Sequence, residues 1–247
     1  MISVIDRDDE KQLMLNTCHN SAFGCKIAGI ALAYGFDKRF SMFWTDALHR
    51  SVFCLVDNTM LIAGEIEDGD EALAFIKLSG AKEITCSLDN LKTLGIQACK
   101  SGEIICKQIE GRGAAWEAAT GAPIREIYAI LEEVGMLPDE EDAFEAFYLD
   151  LSHRIRHGIA RVVLSKPTDK LIGCAVVSSV TGTSAILSAV AVREQHRGEG
   201  VGTQLVKHAE ALLPGKTMYI YKDTGTNDNF YKRLGYSFNE TWAQVNL

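Results

Sequence analysis

No two cysteines in this chain are spaced C-x-x-C, and their number, 7, is odd. That pattern supplies neither a disulfide framework nor a zinc ligand set, so no metal site is expected. Cys18, Cys25, Cys54, Cys86, Cys99, Cys106 and Cys174 sit mostly among apolar neighbours, where cysteine behaves as a small hydrophobe. Excess positive charge is also missing: the formal net charge is −8, which speaks against nucleic acid or an anionic membrane as the main partner. The N-terminus carries Asp6, Arg7, Asp8, Asp9 and Glu10 where a secretory leader would be apolar. The apolar run from Ile27 to Phe36 is about half the length of a membrane span and is closed by Lys38 and Arg39. A reducing cytoplasm is the expected setting. With 47% apolar and 23% charged residues over 247 positions, the chain can bury a sizeable core, as one large or two small domains.

The most informative stretch is Arg197-Gly198-Glu199-Gly200-Val201-Gly202. Before it, Ala185 to Val192 is apolar and strand-like. After it, Thr203 to Leu213 spaces its apolar residues for a helix. A glycine-rich turn entering a helix directs several backbone N–H groups at one point, and the helix dipole adds partial positive charge there. Such a turn suits a phosphate or pyrophosphate. A dinucleotide fingerprint fails on spacing, because its third glycine position is Thr203. A Walker A loop fails too: Gly215-Lys216-Thr217 has the right tail, but Glu210 stands where the first glycine belongs. A glycine turn without a ligand is the plain alternative, and the strand before and helix after weigh against it.

What remains, R-x-x-G-x-G after a strand ending Val-Ala-Val, resembles the acetyl-CoA pyrophosphate loop of the GNAT N-acetyltransferase family. Further on, Asn229-Phe230-Tyr231-Lys232-Arg233-Leu234-Gly235-Tyr236 resembles that family's late F-Y-x-x-x-G-F/Y motif. The resemblance implies that Tyr231 protonates the departing coenzyme A thiolate. Thiol and phenol pKa values differ by only about 1.5 units, so that proton transfer is chemically reasonable. Taken alone, Tyr231 would read better as a core aromatic with a satisfied hydroxyl. The resemblance further implies that Val190 and Val192 pair through their backbone with the pantetheine arm. Backbone N–H groups of Arg197, Gly198, Gly200, Val201 and Gly202 would hold the pyrophosphate. Asn229 would either touch the coenzyme arm or cap a helix.

The coarse order of elements agrees with that family. A strand is expected at Glu103–Ile109. A helix begins at Pro123 with Ile124, Ile127, Tyr128, Leu131 and Val134 on one face, and ends at Gly135. A second begins at Pro138–Asp142 and carries Phe144, Phe147, Tyr148, Leu151 and Ile155. Strands follow at Ala160–Leu164, Leu171–Ser178 and Thr183–Val192, with turns at Lys166–Asp169 and Thr181-Gly182. After the loop and its helix come a strand at Thr217–Tyr221, a short helix with Tyr231, and a closing strand near Trp242–Leu247. The expected fold is therefore α/β, a mixed and mostly antiparallel sheet flanked by helices, with residues 103–247 as the acetyltransferase domain. Residues 1–102 are expected to form a smaller α/β module. There Val52–Val56 and Met60–Ala63 form a hairpin, followed by a helix at Glu71–Leu78, a strand at Glu83–Cys86 and a helix at Leu88–Leu94. That order echoes the later half of the same fold and suggests a degenerate, non-catalytic copy. Lys26–Ala31 mimics the loop spacing loosely and reads as core helix.

The general base is missing from the expected place, since Ser184–Val192 holds no acid. Ser184 and Ser188 have no local histidine partner. His153, His157, Glu145 and Asp150 are candidates that read better as the polar side of a helix, and Asp139–Asp142 is explained by a helix dipole. The expectation from the resemblance is direct transfer of acetyl from acetyl-CoA to a primary amine, on a small molecule or a protein. A backbone N–H near Val192 would polarise the thioester carbonyl. A non-catalytic acetyl-CoA sensor and a structural protein of the same fold are the alternatives. A homodimer is compatible with all three.

Overall fold

The alternation of β-branched runs with helically spaced ones becomes a chain of strands and helices in the computed structural model, which describes residues 1–111, 123–137, 143–167 and 170–247. Its elements form two compact units. One comprises Met1–Cys106, Thr181–Ser184 and Tyr219–Leu247; the other comprises Lys107–Val180 and Ala185–Met218.

The first unit opens with β1 (Ser3–Val4), α1 (Asp8–Thr17) and α2 (Ala22–Tyr34). The Ser21 side chain accepts from the Gly24 N–H at 3.0 Å and so starts α2. Phe23, Cys25, Ile27, Ala28, Ile30 and Ala31 are all buried. The Lys26–Ala31 stretch is thus part of a core helix, as its composition suggests. Strands β2 (Ser41–Thr45), β3 (Ser51–Val56) and β4 (Thr59–Gly64) form an antiparallel meander. Helix α3 (Gly69–Leu78) then crosses over to β5 (Glu83–Ser87), which runs parallel to β4. Asp68 caps α3, and Ser87 caps α4 (Leu88–Thr93).

After β6 (Lys100–Gln108), the chain returns to this unit late. Strand β10 (Thr217–Lys222) brings it back from the second unit, and α8 (Asp228–Arg233) and β11 (Ser237–Asn246) complete it. Strand β11 inserts between β5 and β6, antiparallel to both, giving the order β1-β2-β3-β4-β5-β11-β6. The closing strand begins at Ser237, earlier than its apolar tail at Trp242–Leu247 implies. Pairing with β6 extends it across the polar Ser237–Thr241 stretch, with a register shift between Phe238 and Glu240.

In the second unit, α5 (Ile124–Glu133) starts at Pro123 and is followed by Gly135 at φ +71°. Helix α6 (Ala143–Arg156) follows, and Gly158 turns the chain at φ +71°. The helix start expected at Pro138–Asp142 and the turn residues Thr168-Asp169 lie outside the described residues. Strands β7 (Arg161–Ser165), β8 (Gly173–Val180) and β9 (Ser184–Val192) pair antiparallel in that order. They lie within a residue or two of the strands expected. Helix α7 (Val201–Ala211) completes the unit.

The core of the second unit joins Ile124, Ile127, Ile130 and Leu131 of α5 and Leu151 and Ile155 of α6 to Cys174 and Val176 of β8 and Ala191 of β9. This packing holds the strand that delivers the glycine loop. Ile127 is fully buried in it. Ile127→Ala is expected to destabilise the fold by about 2–5 kcal/mol through lost burial and the cavity left behind, as read by chemical denaturation. The cysteines behave as hydrophobes: burial pushes the thiols of Cys18, Cys86 and Cys174 up to about 12. All seven are free. Among the described residues, no helix is long and apolar enough to cross a membrane.

Candidate functional site

Strand β9 ends at Val192, and a short 3-10 turn at Glu194–His196 leads into the glycine loop. Arg197 is extended, with φ −71° and ψ 148°. Gly198 and Gly200 then adopt φ +83° and +82°, in the left-handed region where a Cβ is strained. Gly200 occupies the N-cap position of α7, and no side chain caps the helix there. Its carbonyl accepts the first helical bond, from the Gln204 N–H at 3.1 Å. The first-turn N–H groups therefore lack the capping oxygen that Ser21, Asp68 and Ser87 supply to α2, α3 and α4. An uncapped helix start behind left-handed glycines can accept an external anion.

Arg197 spans the loop differently. Its Nε donates to the Val192 carbonyl at 3.2 Å, strapping the loop to the end of β9 while the residue stays exposed. His196 Nδ1 lies 3.2 Å from Glu199 Oε2. Arg193 donates through Nε to the Leu171 carbonyl at 3.0 Å and pairs with Glu133 of α5. The segment between β9 and α7 is thus tied to β8's approach and to α5. Val190 and Val192 are half-buried and pair with Ala175 and Gly173 of β8.

Tyr231 belongs to the other unit. It lies on α8, is 9% exposed, and packs edge-on against Phe230 and Tyr236 at centroid distances of 4.9 Å and 5.8 Å. Among the described residues none hydrogen-bonds its hydroxyl. Burial raises its pKa above the ordinary phenol value, while the Lys222 ammonium pulls it down. Asn229 sits in the first turn of α8, exposed. The cap position belongs to Asn227, at φ +57° and without a side-chain cap bond. The capping alternative for Asn229 is therefore excluded.

The base candidates named from sequence do not gather. Ser184 is buried and bonded to Thr181, and the Ser188 hydroxyl donates to the Val176 carbonyl at 3.1 Å. Glu145 is exposed, Asp150 pairs with Arg154 at 2.8 Å, and His153 stacks against His157 with ring centroids 4.2 Å apart. These are features of a solvated helix face.

Two groups escape a reading by sequence. Glu240 of β11 is a strand acid whose pKa is raised by burial and then by Asp89. It also helps to raise Tyr219 and Tyr221 of β10, both dominated by burial. Tyr221 and Lys222 are consecutive strand residues and point to opposite faces. Glu240 therefore acts on one face and the Tyr231–Lys222 pair on the other. The second group is Lys222 itself, with Glu103 and Asp228. A strand lysine gives no sequence signal of burial, because its partners come from β6 and α8.

Residues 155–238 match the model of the acetyltransferase (GNAT) domain. An uncharacterized N-acetyltransferase of Chlorobaculum tepidum is 34% identical over 67 residues, 27% of this chain and 43% of that protein. The match thus spans less than half of that relative's length. Among solved structures, a GCN5-related N-acetyltransferase from Sphaerobacter thermophilus aligns with a TM-score of 0.59 at 11% identity, over 100% of this chain and 98% of that one. A tandem GNAT protein from the clavulanic acid biosynthesis pathway, solved without AcCoA, aligns at 0.57 and 15% identity, over 99% and 97%. At such identities the likeness shows the fold: α/β, with a mixed, mostly antiparallel sheet flanked by helices.

Proposed function

On the match of residues 155–238 to the GNAT acetyltransferase domain model, we propose that the chain transfers an acetyl group from acetyl-CoA to a primary amine by direct attack. The observation that carries this reading is the loop: Gly198 and Gly200 are left-handed and α7 begins without a cap. The amides of Arg197, Gly198, Gly200, Val201 and Gly202 hold the pyrophosphate, and the β9 backbone at Val190 and Val192 pairs with the pantetheine arm. The amine nitrogen attacks the thioester carbon while a backbone N–H near Val192 polarises the carbonyl. The C–S bond breaks, the amine loses a proton to solvent, and Tyr231 gives its phenolic proton to the thiolate. Its hydroxyl, unbonded among the described residues, and its raised pKa support that role: the phenol is protonated at neutral pH and can donate.

Residues 1–102 are, in this reading, a degenerate non-catalytic copy of the fold. The β4–α3–β5 crossover supports it by repeating the strand–helix–strand order of β9–α7–β10. The entry to α3 is filled by its own Asp68 carboxylate, which bonds the Glu71 N–H at 2.9 Å. Such a helix start repels the anion that the α7 start invites.

The test is thiol release from acetyl-CoA in the presence of a panel of amines. Release above background with one acceptor class supports catalysis. Calorimetric binding of coenzyme without turnover across the panel would favour the sensor reading, which the absence of an acid on β9 motivates. Arg197→Gln is expected to weaken coenzyme binding only about threefold to tenfold, the scale of one exposed charge and strap at a helix start. Calorimetric titration with coenzyme A checks it.

A further inference from the structure

Lys222 ends β10 with its side chain only 6% exposed. An ammonium so placed needs partners, because removing it from water without compensation is costly. It has two. Glu103 Oε2 on β6 lies 2.5 Å from Nζ, and Asp228 Oδ1, the first residue of α8, lies 2.6 Å from it. The Lys222 backbone is fixed as well, its carbonyl accepting from Trp242 Nε1 on β11 at 3.1 Å. Main chain and side chain together thus join β6, β10, β11 and α8.

Helix α8 needs that tie. It has 6 residues, no side-chain cap, and an N-cap residue in the left-handed region. A helix of that length does not hold itself in water. At its far end Tyr231 and Tyr236 make an edge contact. At its start the described tie to the sheet is Asp228 on Lys222. Asp228 and Tyr231 are three positions apart, so they lie on neighbouring parts of one helix face.

We propose that Lys222 is a positioning residue: its ammonium, held by Glu103, anchors Asp228 and so fixes the Tyr231 hydroxyl in place. The catalytic part of this assignment rests on the transferase reading above; the structural part does not. Among the described residues, the Lys222 ammonium acts on Tyr231 from β10, Glu103 of β6 and Asp228 of α8 pair with that ammonium, and the Tyr236 phenol packs edge-on against the Tyr231 ring. Of these, Lys222 opposes the effect of burial on the Tyr231 phenol.

The experiment compares Lys222→Met, Lys222→Arg and Asp228→Asn in the full chain. Asp228→Asn breaks only the α8 arm and leaves Lys222 on Glu103, so it covers the case in which Lys222→Met fails to fold. Lys222→Met is expected to lower kcat roughly tenfold to a hundredfold, the scale of a misplaced reacting group, with KM for acetyl-CoA little changed. Lys222→Arg is expected to restore most of the rate, and Asp228→Asn to fall between. Independently of turnover, alkaline titration of tyrosinate absorbance, each variant minus its own Tyr231→Phe partner, isolates the Tyr231 phenol. Its titration moves to higher pH in Lys222→Met. A folded Lys222→Met or Asp228→Asn protein with unchanged kcat and unchanged Tyr231 titration overturns the proposal. If the parent chain shows no turnover with any amine, the transferase reading fails, and the titration alone decides whether Lys222 controls Tyr231.

Discussion

Gly200→Val is expected to weaken coenzyme A binding by roughly tenfold to a hundredfold, the equivalent of about 1–3 kcal/mol of backbone strain at one residue. The cause is conformational. A Cβ built on Gly200 meets no heavy atom within 4 Å, so there is room for a side chain. At φ +82° and ψ 1°, however, an L-residue is strained, and a β-branched one most of all. The variant either carries the strain, seen as a lower melting temperature, or relaxes the turn and redirects the first amides of α7. The second course removes the convergence on which the proposed anion site depends. Gly200→Ala takes the same direction with a smaller loss. Calorimetric titration of both variants with coenzyme A measures it; undiminished affinity in the valine protein would end the loop's assignment as the pyrophosphate cradle.

Tyr231→Phe is expected to lower kcat roughly a hundredfold, the usual scale for a positioned general acid, and to leave coenzyme affinity near that of the parent. The substitution deletes one oxygen and keeps the ring packed against Phe230 and Tyr236. Stability is therefore largely retained, and the hydroxyl loses no bond among the described residues. The sign of the pH effect follows from burial, which raises the phenol's pKa, against a smaller lowering by Lys222. Donation requires the protonated phenol, so activity that depends on it persists above the pH at which a free tyrosine ionises and falls beyond. That alkaline fall belongs to the parent and disappears in the phenylalanine protein. An unaltered rate and profile would remove Tyr231 from the chemistry.

Local patterns carried far in this chain. Pro123 and Gly135 bracket α5 as their backbone preferences demand, and the β-branched runs of β7, β8 and β9 fall where alternation and turns place them. The glycine loop was legible because its chemistry is local: φ values at Gly198 and Gly200 and a helix start lie within a few residues. Strand β2 and helix α1 were not read, because Ser41–Thr45 and Asp8–Thr17 carry weak apolar periodicity; β2 is held by its pairing with β3. The early start of β11 was missed for the same reason, since β6 recruits a polar stretch into the ladder.

Short-range stereochemistry and hydrophobic spacing are enough to set the fold class and the left-handed glycine turn before α7, so both can be read along the chain. Tertiary structure alone decided that β11 stands between β5 and β6, and that Lys222 is buried between Glu103 and Asp228. It also set Glu240 and the Tyr231–Lys222 pair on opposite faces. Strand order and the ion pairs of the shielded Lys222 ammonium depend on residues brought together only by the fold. No local pattern encodes them, and the field around Tyr231 exists only once β6, β10 and α8 have met.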